Sequence, residues 1–208
     1  MPLGFFLLAH TWANVSALRG QGAYVATVES LLHVPLLVVV EIVLVFLPLL
    51  YHAGYGAWLM RAGVGASPPH GRRLAVTDRV AAVIALAFIV WHVFELRVRA
   101  WRGGLAPEAF YATLVWHLST TWHGFPARAV AYLFGVTATV FHFSFGAWSY
   151  GVSSGLFATR SQKRRAAWGA AALGTVLFLA SSATVISLAT GLHFSHAPEA
   201  SEPCAPKK

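Results

Sequence analysis

Residues 33–60 read HVPLLVVVEIVLVFLPLLYHAGYGAWLM. The stretch carries one carboxylate, Glu41, and no lysine or arginine. A helix that crosses the hydrocarbon core of a bilayer needs about 20 largely apolar residues, and this stretch is long enough to do so. Pro35 and Pro48 would break a helix in water. In lipid a proline is tolerated where neighbouring groups satisfy the freed carbonyl. The stretch therefore reads as a membrane span. His52 poses the chemical question, since an ordinary apolar core has no use for an imidazole there.

The rest of the chain supports this reading. Mean hydropathy is +0.63. Of 208 residues 57% are hydrophobic and 11% charged, against about 25% charged in a soluble domain. The net charge of +8 does not point to nucleic acid, because the lysines and arginines fall mostly between apolar runs, where they face headgroups and helix ends. Cys204 is the only cysteine. No intrachain disulfide, thiolate cluster or thiol mechanism follows from it.

Five apolar segments lie at about 1–18, 33–60, 77–98, 126–152 and 166–190. The first is too short: His10 follows only nine residues of helix, a climb of about 14 Å. The run has no basic leader and no convincing A-x-A-like site, so it does not read as a signal peptide. A start codon placed downstream, or a truncated chain, is the expectation. Thr77 is the expected cap of the third span, with Asp78 in its first turn. With alternating spans, Arg61, Arg72, Arg73, Arg79, Arg160, Lys163, Arg164 and Arg165 share one side. That bias places their loops in the cytoplasm. The expectation is an all-α transmembrane domain over 1–192, then a disordered polar tail over 193–208.

His10, His52, His92 and His142 each fall in a different span. A polar side chain inside a membrane segment is expensive and points to a functional site. At 1.5 Å per residue, His52 and His142 lie in the inner half, and His10 and His92 in the outer half. Two axial imidazoles on facing helices suit a haem iron. Two such pairs would give two haems stacked across the membrane. Gly135, Gly56 and Gly146 lie on faces where they would let a porphyrin approach the backbone. The competing readings are hydrogen bonds from single histidines to carbonyls, or zinc or copper. Neither pair has an evident Cys or carboxylate completing a four-ligand set.

Glu41 is eleven residues before His52, about 20° round a regular helix and 16 Å farther out. Its sharp reading is quinone binding or proton handling, and its plain one an arginine or propionate neighbour or simple protonation. Glu95, three residues after His92, is expected to orient an imidazole or pair with Arg99. His33, His70, His117, His123, His193 and His196 read as solvated. WHLSTTWHG at 116–124 reads as a cover on the outer end of the bundle.

The stretches VEIVLVFLPLLYHAGYG, IVWHVFELR, VFHFSFGAWSY and TRSQKR carry a resemblance. Over about residues 3–190 the chain resembles the cytochrome b558 membrane-anchor subunits of succinate dehydrogenase and fumarate reductase, in the single-subunit, five-helix, two-haem branch. The resemblance implies a five-helix bundle with two haems b. His52 and His142 would ligate the haem nearer the iron–sulfur subunit, and His10 and His92 the distal one. It implies flavoprotein and iron–sulfur partners on the cytoplasmic face of a bacterial cytoplasmic membrane. Electrons would pass through the two haems to a quinone, often menaquinone, with succinate oxidation in the soluble partner. The chain departs from the family in lacking the first half of its first helix. Val140 also stands where one branch has a glutamate linked to proton transfer, so that proton path does not carry over. A cytochrome b of another membrane oxidoreductase, such as hydrogenase or formate dehydrogenase, and a haem-free membrane protein are the alternatives.

Overall fold

The computed structural model describes residues 2–63, 71–106 and 109–192. Those residues form seven helices and no β-strand. They are α1 (Pro2–Val15), α2 (Gln21–Leu32), α3 (Leu37–Arg61), α4 (Arg72–Trp101), α5 (Ala109–Ser119), α6 (Ala127–Ser153) and α7 (Arg160–Thr190). Four of them, α3, α4, α6 and α7, are long and apolar enough to cross a membrane, with 25, 30, 27 and 31 residues. The first of the five expected spans is the 14-residue α1, which climbs about 21 Å. Its last turn tightens into a 3₁₀ segment, Ser16–Arg19.

The expected boundaries shift at two helix starts. α4 begins at Arg72, so Thr77 is not its cap. The Thr77 hydroxyl instead bonds back to the Arg73 carbonyl at 3.1 Å, a bond helical threonines commonly make. α7 begins six residues before the expected 166. Thr159 accepts from the Gln162 amide, and the Gln162 side chain accepts from the Thr159 amide. This reciprocal capping box starts the helix there. α2 and α5 were not expected at all.

Two spans contain wide π-turns, Ile42–Phe46 in α3 and Val93–Val98 in α4. Pro48 explains the first. It has no N–H for the carbonyl four residues back, and its ring crowds that carbonyl. Widening the preceding turn relieves both problems. No proline accounts for the second.

The spans pack through small residues, as lipid-embedded helices do. Ala81 and Ala85 of α4 meet Ala138 of α6. Gly174 of α7 lets the Ser144 hydroxyl of α6 come within 2.6 Å of where a Cβ would stand. The densest packing lies at one end, where Tyr24, Leu96, Tyr111, Leu118, Tyr132 and Leu188 form one cluster. α2 and α5 close that end. α3 is different: none of its residues is buried. It lies along α1 and reaches α4 and α6 through a few side-chain pairs.

Gly135 does not open onto a cofactor surface. A Cβ there would stand 2.2 Å from Cγ of Phe88, whose ring stacks on His92 at 5.7 Å. Gly56 and Gly146 do have open faces, with nothing within 4 Å of a Cβ. Gly135→Ala should cost about 1–3 kcal/mol through overpacking, read as a lower melting temperature of the detergent-solubilised protein. An unchanged melting temperature would mean that Phe88 moves aside freely.

Candidate functional site

The four candidate histidines meet in two pairs. The His10 and His92 ring centres are 5.8 Å apart, with planes at 82°. The His52 and His142 ring centres are 5.9 Å apart, with planes at 53°. Each pair joins two helices, α1 to α4 and α3 to α6. Asp78 touches His142, and His92 lies fourteen residues farther along the same helix. The two pairs therefore sit about 20 Å apart along the bundle. His92 and His142 are half-buried, whereas His10 and His52 belong to the exposed residues of their helices.

The donor set can be tested against a metal. Two imidazoles bound to one metal at about 2 Å each would have ring centres about 6 Å apart, close to both observed separations. Among the described residues no three His, Cys, Asp or Glu side chains gather into a bare-ion site. A pair of imidazoles would suit an iron whose remaining donors come from its own macrocycle, as in a haem. The pairs fit that group.

Hydrogen bonds orient two of the rings. Nδ1 of His142 lies 2.9 Å from Oδ1 of Asp78. An ionised carboxylate only accepts, so Nδ1 donates, and in the neutral ring Nε2 then carries the lone pair. A ligating histidine is commonly held this way. The sequence suggested only a helix-start role for Asp78. Nδ1 of His92 lies 3.3 Å from the Tyr132 hydroxyl, and Tyr132 donates to Oε2 of Glu95 at 3.2 Å. Phe6 stacks on His10 at 5.4 Å.

Two charged groups behave differently from the expectation. Glu95 pairs with Arg128 of α6 and His117 of α5, each at 2.9 Å from Oε1, rather than with Arg99. His117 is 3% exposed, so it is not a solvated histidine. Tyr111, Leu114, His117 and Leu118 are the buried face of α5, and that helical spacing was the available signal. Burial pushes the His117 imidazole below its ordinary range, and the Glu95 charge opposes the shift. His33 and His123 are exposed as expected, and His70, His193 and His196 lie outside the described residues.

Glu41 meets Arg97 at 2.6 Å across α3 and α4. Arg97 also sits over the Trp101 ring at 5.5 Å. This is the arginine-neighbour reading of Glu41 in geometric form, and it lies beyond the His10/His92 level. The Glu41–Arg97 and His52–His142 contacts run α3 antiparallel to α4 and parallel to α6. All eight basic residues of the two expected inner loops consequently lie toward the His52/His142 end. Toward the other end lie Arg19, Arg97, Arg99, Arg102 and Arg128, of which Arg97 and Arg128 are paired with carboxylates.

Fold and site together define a multi-pass, all-α membrane protein with two histidine pairs at different depths. The succinate dehydrogenase cytochrome b558 subunit of Bacillus subtilis (strain 168) is 35% identical to it over 167 residues, covering 78% of this chain and 79% of that protein. The chain belongs to the family of succinate dehydrogenase cytochrome b558 subunits. No protein-family model and no solved structure matches it.

Proposed function

We propose that the chain is the membrane anchor and di-haem cytochrome b subunit of a succinate:quinone oxidoreductase, working between an iron–sulfur subunit and a quinone such as menaquinone. The observation that carries this reading is the meeting of two histidine pairs, at 5.8 and 5.9 Å between ring centres, in a chain of this family. His52 and His142 would hold the haem on the partner side, and His10 and His92 the one on the far side. Two haems b, when bound, supply one-electron carriers that reach across the membrane.

The chain's own residues do the rest. In the neutral ring, the hydrogen bond to Asp78 holds the proton on Nδ1 of His142 and leaves Nε2 for a metal. The apolar spans exclude water from both levels. Glu41 is our candidate for proton handling at the quinone, on the strength of its place beyond the His10/His92 level. The cluster of seven arginines and one lysine at the His52/His142 end fits the cytoplasmic side of a bacterial inner membrane. The same end would receive the flavoprotein and iron–sulfur subunits. Succinate itself would be oxidised in those partners.

A pyridine haemochrome assay on the purified complex tests the reading. The expected result is two haems b per copy of this chain. One haem, or none, would overturn it.

A further inference from the structure

The cluster behind His92 is not used by this function. It joins four side chains from three helices: Glu95 of α4, His117 of α5, and Arg128 and Tyr132 of α6. Glu95 is 12% exposed at its side chain, so its charge needs internal partners. It has three. Arg128 and His117 approach Oε1 at 2.9 Å each, and Tyr132 donates to Oε2 at 3.2 Å.

The direction of the hydrogen bonds follows from the carboxylate. Glu95 only accepts, so the single hydroxyl proton of Tyr132 is committed to it. The phenol oxygen is then left to accept from Nδ1–H of His92, 3.3 Å away. The imidazole is thereby fixed in the tautomer that offers Nε2 to a metal. Glu95 lies on the π-turn Val93–Val98 that starts directly after His92. That turn winds more widely than an α-helix, and Tyr132 spans the interval between carboxylate and imidazole. His142 touches its carboxylate directly, so the two pairs have different supports.

We propose that Glu95 is a positioning residue for His92, acting through the Tyr132 hydroxyl, and that it ties this ring to the α5 cap. The proposal rests on the haem reading above. An acceptor on Nδ1 makes the ring a stronger donor at Nε2 and so favours the oxidised metal. Weakening that acceptor raises the reduction potential at the His10/His92 level and leaves the His52/His142 level unchanged.

The test is a potentiometric titration of both haems in the intact complex, followed optically and by electron paramagnetic resonance. Tyr132→Phe removes only the hydroxyl and keeps the ring that packs 5.2 Å from both Phe88 and Trp91. At fixed potential it should shift the reduced-to-oxidised ratio of one haem about threefold, which is about 30 mV for one electron. Glu95→Gln weakens the same relay and also removes a negative charge near that level, so it should shift the same haem further, about tenfold, or about 59 mV. The resonance signal of that haem should move in both variants. Two haems in Tyr132→Phe with unchanged potentials and signals would overturn the proposal alone. Equal shifts at both haems, or loss of haem in Tyr132→Phe, would mean a packing role and also overturn it. A wild-type complex without two haems b overturns the haem reading, and this proposal with it.

Discussion

His142→Ala should assemble with one haem b, against the two proposed for the wild type. The substitution removes one of the two imidazoles at its level and leaves Asp78 facing a void. His52 alone then offers one axial nitrogen from a span whose residues are all unburied. The other pair, about 20 Å away along the bundle, keeps both of its rings. Haem content measured by pyridine haemochrome should fall by about half. The component lost in the reduced-minus-oxidised spectrum should be the one lost in His52→Ala. His92→Ala should remove the other component. If His52→Ala and His92→Ala remove the same one from an otherwise intact complex, the pairing is wrong.

If Glu41 handles protons at the quinone as proposed, Glu41→Gln should slow quinone-linked turnover by about a hundredfold, the lower range for losing a general acid–base group. Both proposed haems should stay, and succinate oxidation by an artificial acceptor at the proposed soluble partners should be unchanged. Glutamine keeps the shape and much of the hydrogen bonding to Arg97, but it carries no exchangeable acid. The rival role is neutralising Arg97. Both side chains are about one-fifth exposed, so stranding that arginine costs less than the roughly 3–5 kcal/mol of a fully buried pair. A protein that only loses thermal stability, with quinone turnover intact across pH, would assign Glu41 to the ion pair alone.

The spans were legible because lipid demands long apolar helices, and such helices are hard to hide. The histidine pairing was legible because depth follows from residue number. The start of α4 was misread because Arg72 and Arg73 look like loop. At a membrane boundary long basic side chains can begin a helix and reach back to water. The start of α7 was written in Thr159 and Gln162, whose spacing is a capping signal. Glu41 shows a different limit. Its angle to His52 assumed 100° per residue throughout, and the π-turn at Ile42–Phe46 breaks that count by about one residue. His117 and Asp78 were missed because their partners lie far off in sequence, on α4 and α6.

The unburied face of α3 has a consequence for which changes the chain tolerates. A span that touches its neighbours through a few side chains has few positions under steric constraint. Exchanges among Leu, Ile, Val and Phe at Val39, Val43, Leu44, Leu47 and Leu50, all exposed, alter contacts with lipid, which is as apolar as the side chains. In a saturation scan of residues 37–61, such exchanges should score near neutral. The profile should fall sharply at Glu41 and His52, and at Pro48, whose loss would let the turn before it rewind. Sequence drift along this helix would then be fast at most sites and nearly stopped at three.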